Sequence, residues 1–417
     1  MSKKIILIAG IVIFLAIAGV IGKLIYDRVY ESRVNKTITD MGFNPSDYDL
    51  EGLSLDEIKE KITREEAEKI TRQEIEKVLS GGTSTKSSAP APTSASTGTK
   101  TCAKAETARQ FQSEPYYTGQ LFDAHVHIPV SSSVVSITAK QLGFEDMPAF
   151  GGSLTKDYLS CLFTEEEISG VLGFFLSTKY SLDQEMQSAR NLKQAYSGIV
   201  SLFMPAPFDQ LRVSADVVNK SISSNPGLFG GFGELKIFDG SSLDNAHFSE
   251  LYKIASDYNF IVMMHPFRND KAVIEKIVTQ YPKIKFLLHG NEDGGWIMDV
   301  IKNHDNVYYS LDGNIIYLYG WKPEHYTGSG GPTKEEYLAY VKNNFDSIIA
   351  KEITNWKANI EAYPDRFLWG TDRWYGWHFD SDVGMLITEM GRSFIGNLDP
   401  TVREQFAYKN AEKLFAR

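Results

Sequence analysis

Five short apolar runs in this chain end in imidazole or carboxylate side chains, and that arrangement restricts the fold more than any other feature. The first is Phe122-Asp123-Ala124-His125-Val126-His127, and Glu234, His265, His289 and Asp372 close four later runs. Residues two apart on a strand project to the same face, so His125 and His127 can reach one point together. Of eight histidines in the chain, four sit at such run ends, a placement that simple packing explains poorly. Polar groups gathered at strand ends over so long a stretch suit a (β/α)8 barrel, whose active sites form at the C-terminal ends of its strands.

The strand count agrees. From Gln120 onward, apolar runs at Leu121–His127, Gly170–Leu176, Ile199–Met204, Leu228–Ile237, Phe260–His265, Lys285–His289, Val307–Leu311 and Phe367–Gly370 alternate with amphipathic helical patterns. Those patterns cover Asp183–Tyr196, Ser214–Ser223, Phe248–Tyr258, Lys271–Tyr281, Trp296–Asn303 and Lys334–Ala362. An open doubly wound sheet would gather its ligands at one switch point instead of from five strands. No glycine-rich nucleotide loop appears.

A barrel takes about 250 residues, and this chain has 417, so appendages are expected. Residues 5–22 carry no charge and are flanked by Lys3, Lys4 and Lys23, enough to span a bilayer. A signal peptide cleaved near Ala16-Ile17-Ala18 is the competing reading, but the apolar run extends past that site. Residues 1–27 are therefore expected to form an uncleaved membrane anchor. Residues 28–79 read as a helical spacer, with helix expected at 54–79 behind the capping pattern Ser54-Leu55-Asp56-Glu57, and serve either as a small spacer or as a self-associating, homo-oligomeric stalk. Residues 80–104, rich in Ser, Thr, Ala and Pro, read as a flexible linker, which leaves 105–417 for the barrel. Such linkers suit surface-exposed domains, so the barrel is expected outside the cytoplasm. A net charge of −10 argues against a nucleic-acid partner. Cys102 and Cys161 are too few for a zinc module or a disulfide framework, and whether they pair stays open.

Imidazole and carboxylate are ligands for zinc and similar ions, so His125, His127, Glu234, His265, His289 and Asp372 form the candidate metal set. Asp372 could also accept a proton during catalysis, although an aspartate there could equally cap a helix. Glu234 shares its face with Lys236; it either bridges two metals or forms an internal ion pair beside one. His247, His304 and His325 fall on helix or loop patterns and read as ordinary surface residues, and His378 either lines the site mouth or is exposed. Aromatic residues beyond the seventh and eighth runs, among them Tyr317, Trp321, Trp374 and Trp377, either stack on substrate or pack between loops.

These residues resemble the amidohydrolase superfamily, in its amidohydrolase-related branch. The matching pieces are Asp123-Ala124-His125-Val126-His127, His265-Pro266, His289-Gly290, Gly370-Thr371-Asp372 and the ending Asn410-Ala411-Glu412-Lys413-Leu414-Phe415. The resemblance spans about residues 119–417. It implies a distorted barrel with one or two divalent metals, zinc first among them, acting on a small molecule. The branch holds hydrolases of lactones, esters and amides and also nonoxidative decarboxylases of aromatic acids, so fold alone does not settle the reaction. The leading expectation is hydrolysis by metal-activated water, with Asp372 moving the proton and His289 or the metal stabilising the oxyanion. The alternatives are a metal-dependent decarboxylase, with Phe267-Arg268 holding an acid, and a non-catalytic membrane-anchored metal-binding module.

Overall fold

The computed structural model describes residues 109–128, 162–174, 182–204, 214–235, 242–266, 270–290, 295–312, 333–373 and 376–415. The apolar run at 5–22, the spacer, the linker, both cysteines, Lys236, Phe267, Arg268, His325 and the aromatic residues from Tyr317 to Trp321 lie outside them, as do Tyr326, Trp374 and Tyr375. Among the described residues, no helix is long and apolar enough to cross a membrane.

Eight parallel strands follow one another in sequence order: β1 Leu121–His127, β2 Ile168–Phe174, β3 Val200–Met204, β4 Gly231–Leu235, β5 Ile261–Met264, β6 Phe286–Leu288, β7 Val307–Leu311 and β8 Phe367–Trp369. Helices alternate with them: α1 Leu182–Ala195, α2 Ala215–Ser223, α3 Ala246–Asp257, α4 Lys271–Gln280, α5 Gly295–Asn303, α6 Lys334–Ala362, α7 Ser381–Gly396 and α8 Asn410–Phe415. All eight expected runs are strands, with ends shifted by a few residues, and the open-sheet alternative falls away. The ring nearly closes where β8 returns to β1. There the Asp372 N–H donates to the His125 carbonyl at 2.8 Å, and the His127 N–H donates to the Arg373 carbonyl at 2.8 Å.

Two apolar layers hold the barrel. Phe122, Ala124, Leu172, Phe174, Phe203, Ile261, Met263, Leu287 and Leu368 fill its interior, while their sequence neighbours, such as Leu202, Val262, Leu288 and Trp369, pack outward against the helices. This is strand alternation bent into a closed surface. The far end is plugged by α8, whose Phe415 ring lies 5.6 Å from Phe122 and 5.8 Å from Phe203. Asn410 fixes that helix by donating its side-chain amide to the carbonyls of Pro364 at 2.7 Å and Phe367 at 2.9 Å. The C-terminal motif is thus a clasp on β8. Helix α6 starts at a capping box, with Thr333 Oγ1 accepting from the Glu336 N–H and Glu336 Oε2 accepting from the Thr333 N–H. Helix α7, almost wholly buried, was not anticipated: apolar residues all round it hide any amphipathic signal.

Candidate metal centre

Two bulges aim the site. Asp123 pairs with Val171 and Val126 with Gly173, so β1 advances three residues while β2 advances two. Phe122 and Ala124 point into the barrel, and unbroken alternation would then send His125 and His127 out among the helices. The extra residue reverses the parity and turns both imidazoles inward. Strand β4 repeats the device: Phe232 pairs with Val262 and Leu235 with Met264, three residues against two, with Glu234 inside the interval. His265 and His289 need no bulge, because each follows an outward-facing residue, Met264 and Leu288.

Asp372 enters from the β8 side of the same seam with φ at +50°, a left-handed conformation that aspartate tolerates better than most residues and that is informative where it occurs. Its Oδ1 lies 3.0 Å from His127 Nε2 and 3.3 Å from His125 Nε2. Glu234 stands between two groups: Oε2 is 3.7 Å from His127 Nε2, while Oε1 is 2.9 Å from His289 Nε2 and 2.6 Å from His265 Nδ1. Around a tetrahedral zinc with bonds near 2.1 Å, ligand atoms stand about 3.4 Å apart. The contacts of His125, His127, Asp372 and Glu234 Oε2 match that spacing. Those at Glu234 Oε1 are at hydrogen-bond length. Buried His125 Nε2 has no hydrogen-bond partner, as a nitrogen reserved for a metal would not. The described residues therefore form a His/Asp/Glu cluster that fits a divalent ion.

All six residues expected from the sequence meet here. A seventh was missed: Asp312, the residue directly after β7, is buried and accepts from His125 Nδ1 at 2.9 Å, with His289 Nδ1 3.5 Å away. Its signal was the one that marked the others, a carboxylate at the end of an apolar run. Burial favours neutral forms, yet His125 and His289 hold Asp312 well below the usual carboxylate range. His289 shows the reverse balance. Burial pushes it down, but Asp312 and Glu234 outweigh that and raise it to about 10. The centre calls for positive charge beside these carboxylates.

Supporting groups lie beneath the seam. Asp123 accepts from the Thr371 N–H at 2.9 Å and the Thr371 hydroxyl at 2.6 Å, and burial, opposed by Arg373, lifts it to about 7. Arg373 pairs through both terminal nitrogens with Glu166, which also accepts from the Thr388 hydroxyl at 2.6 Å. His378 is buried, not exposed; burial, Arg373 and His127 hold it well below its ordinary range, so it is neutral. Trp377 packs on His378, with ring centroids 4.3 Å apart. His247 and His304 are half-buried and lie on or beside helices away from the cluster. Gly290, at φ +69°, admits no side chain, since a Cβ would stand 2.9 Å from His265 Nε2. A cavity of about 770 Å³ opens at the other end of the barrel, near Val200, Phe260 and Phe415, and holds none of these groups.

A family model described as amidohydrolase matches residues 227–417, the stretch from just before β4 to the C-terminus. Residues 227–417 thus resemble the amidohydrolase family. A zinc-bound amidohydrolase from Burkholderia multivorans is 12% identical with a TM-score of 0.50, covering 72% of this chain and 99% of its own. A probable 2-pyrone-4,6-dicarboxylic acid hydrolase from Acinetobacter baumannii is 11% identical with a TM-score of 0.42, covering 71% of this chain and 99% of its own. A 5-carboxyvanillate decarboxylase from Sphingomonas paucimobilis is 13% identical with a TM-score of 0.43, covering 71% of this chain and 98% of its own. No curated protein sequence matches the chain. The amidohydrolase match begins beyond β1, so only the fold joins the His125/His127 pair to the matched strands.

Proposed function

We propose that this amidohydrolase-superfamily barrel is a metal-dependent hydrolase of a small molecule carrying a lactone, ester, amide or similar bond. One observation carries the reading: seven ligand-type side chains from β1, β4, β5, β6, β7 and β8 converge at the C-terminal mouth, with His125 Nε2 buried and without a hydrogen bond. In this reading His125, His127 and Asp372 hold the first ion, and Glu234, His265 and His289 hold a second one or support the first. A divalent ion there, zinc first among candidates, supplies a lowered pKa for bound water and polarisation of a substrate oxygen.

The protein's own groups do the rest. Asp372, facing the mouth at 15% side-chain exposure, takes the proton from the attacking water and returns it to the leaving group. His289, flanked by the carboxylates of Glu234 and Asp312, stabilises negative charge developing on the substrate. The apolar run at 5–22 anchors the barrel to a membrane, with the Ser/Thr/Pro-rich linker holding it on the extracytoplasmic side.

The test is an activity screen on zinc-loaded protein over lactones, esters, amides and phosphodiesters, run beside His125→Ala and Asp372→Asn. Hydrolysis lost in both variants, with bound metal reduced, is the expected result. Release of CO2 from an aromatic acid would replace the hydrolase by a decarboxylase. Full activity after chelation would reject the metal centre.

A further inference from the structure

We propose that Asp312 is a shared positioning residue that fixes the ring orientation and proton placement of His125 and His289 together. This rests on the metal-centre reading above and adds to it a residue that the expected ligand set lacks. The carboxylate is buried at the end of β7, and its two oxygens face two different rings: Oδ2 lies 2.9 Å from His125 Nδ1, and Oδ1 lies 3.5 Å from His289 Nδ1. A carboxylate only accepts, so His125 Nδ1 must donate to it, and the ion-pair contact at His289 Nδ1 favours hydrogen there as well. That assigns Nε2 of each ring to the interior. The far nitrogens do point there: His125 Nε2 faces Asp372 at 3.3 Å, and His289 Nε2 faces Glu234 at 2.9 Å. The two rings stand nearly perpendicular, with centroids 4.3 Å apart, so one carboxylate reaches both edges.

The consequence is coupling between the two halves of the centre. His125 and His127 both face Asp372, and His289 and His265 both face Glu234. An outer carboxylate that orients a metal-binding imidazole typically changes metal affinity 10–100-fold. Here a single residue holds one imidazole of each half.

Asp312→Asn tests this without changing size. A carboxamide offers one acceptor oxygen and one donor nitrogen, so it can serve only one Nδ1–H. The shorter contact, to His125, is kept, and the amide N–H then faces His289 Nδ1, which must give up its hydrogen. Two measurements on the full chain follow. The first is 15N–1H correlation of metal-free protein labelled at histidine nitrogen. Protonated Nδ1 on both His125 and His289 is expected in the parent, and on His125 alone in Asp312→Asn. The second is zinc affinity by competition with a chromophoric chelator, expected to fall about 10–100-fold in the variant.

The parent spectrum stands whether or not the variant folds; an unprotonated Nδ1 on either ring overturns the proposal. So does a folded variant that keeps both protons and binds zinc within twofold of the parent. Direct Asp312–zinc bonding in metal-loaded protein would also overturn it. A parent that shows both protons yet takes up no zinc supports the positioning role and rejects the metal centre.

Discussion

Replacing Arg373 by Met would test how the seam between β8 and β1 is held. The guanidinium is fully buried; it donates to Glu166 Oε1 at 2.9 Å and to Glu166 Oε2, and its Nε lies 4.0 Å from Asp123. Methionine fills similar space but leaves the buried Glu166 carboxylate with the Thr388 hydroxyl at 2.6 Å as its remaining donor in this group. Breaking a buried ion pair from one side costs about 3–5 kcal/mol, because the surviving charge stays out of water. At about 2–4 °C per kcal/mol for a chain of this size, the melting temperature should fall by roughly 6–20 °C. Thermal melts and urea titrations of the full chain, followed by circular dichroism with zinc in excess, measure this. Adding Glu166→Leu should recover most of the loss, since an apolar pair of matched volume is often neutral or better. Zinc affinity should fall in the single variant, because Asp372 adjoins Arg373 at the seam. A single variant within about 1 kcal/mol of the parent, or a double variant no better than the single, would refute the argument.

In the proposed metal centre, metal and proton would compete at His289, so pH should act in opposite directions on the two states. Its pKa is about 10 in the fold against 6.5 for the free side chain, so its contribution to metal-free stability is complete below pH 6.5 and is lost as pH rises toward 10. Zinc affinity should instead rise over the same window, by about tenfold per pH unit for each proton displaced; a metal-free melt that climbs between pH 7 and pH 9 would contradict this. Gly384→Ala should cost about 1–3 kcal/mol in urea titrations, because a methyl there meets Glu166 Oε1 and Arg373. Phe415→Ala, which removes the ring plugging the barrel against Phe122 and Phe203, should cost about 3–5 kcal/mol while leaving zinc stoichiometry unchanged.

Much of the site was readable from run ends. His265, His289 and Asp372 each follow an apolar run of three to six residues, and local alternation is enough to bring the two histidines inward. Asp312 ends a run in the same way, but a lone aspartate after a strand is common in turns and caps, and nothing local marks it as buried against two rings. Helix α7 escaped for a related reason: burial on every side erases the polar stripe by which a helix is recognised.

Strand number, helix alternation and the kinds of ligand available follow from local pattern, because side-chain periodicity depends only on backbone geometry. Which way His125, His127 and Glu234 face does not. Alternation says that His125 and His127 share a face, but Phe122 and Ala124 occupy the interior on the opposite parity. Only the β1 and β4 bulges, seen in the pairing with β2 and β5, turn these three side chains into the barrel. A bulge is a mismatch of register between two strands far apart in sequence, so it takes shape only when the barrel assembles. The same holds for the buried Arg373–Glu166 pair and for Asp312, whose partners lie 207 and 187 residues away. Sequence supplied the candidate side chains and their strands; closure of the ring decided that they meet.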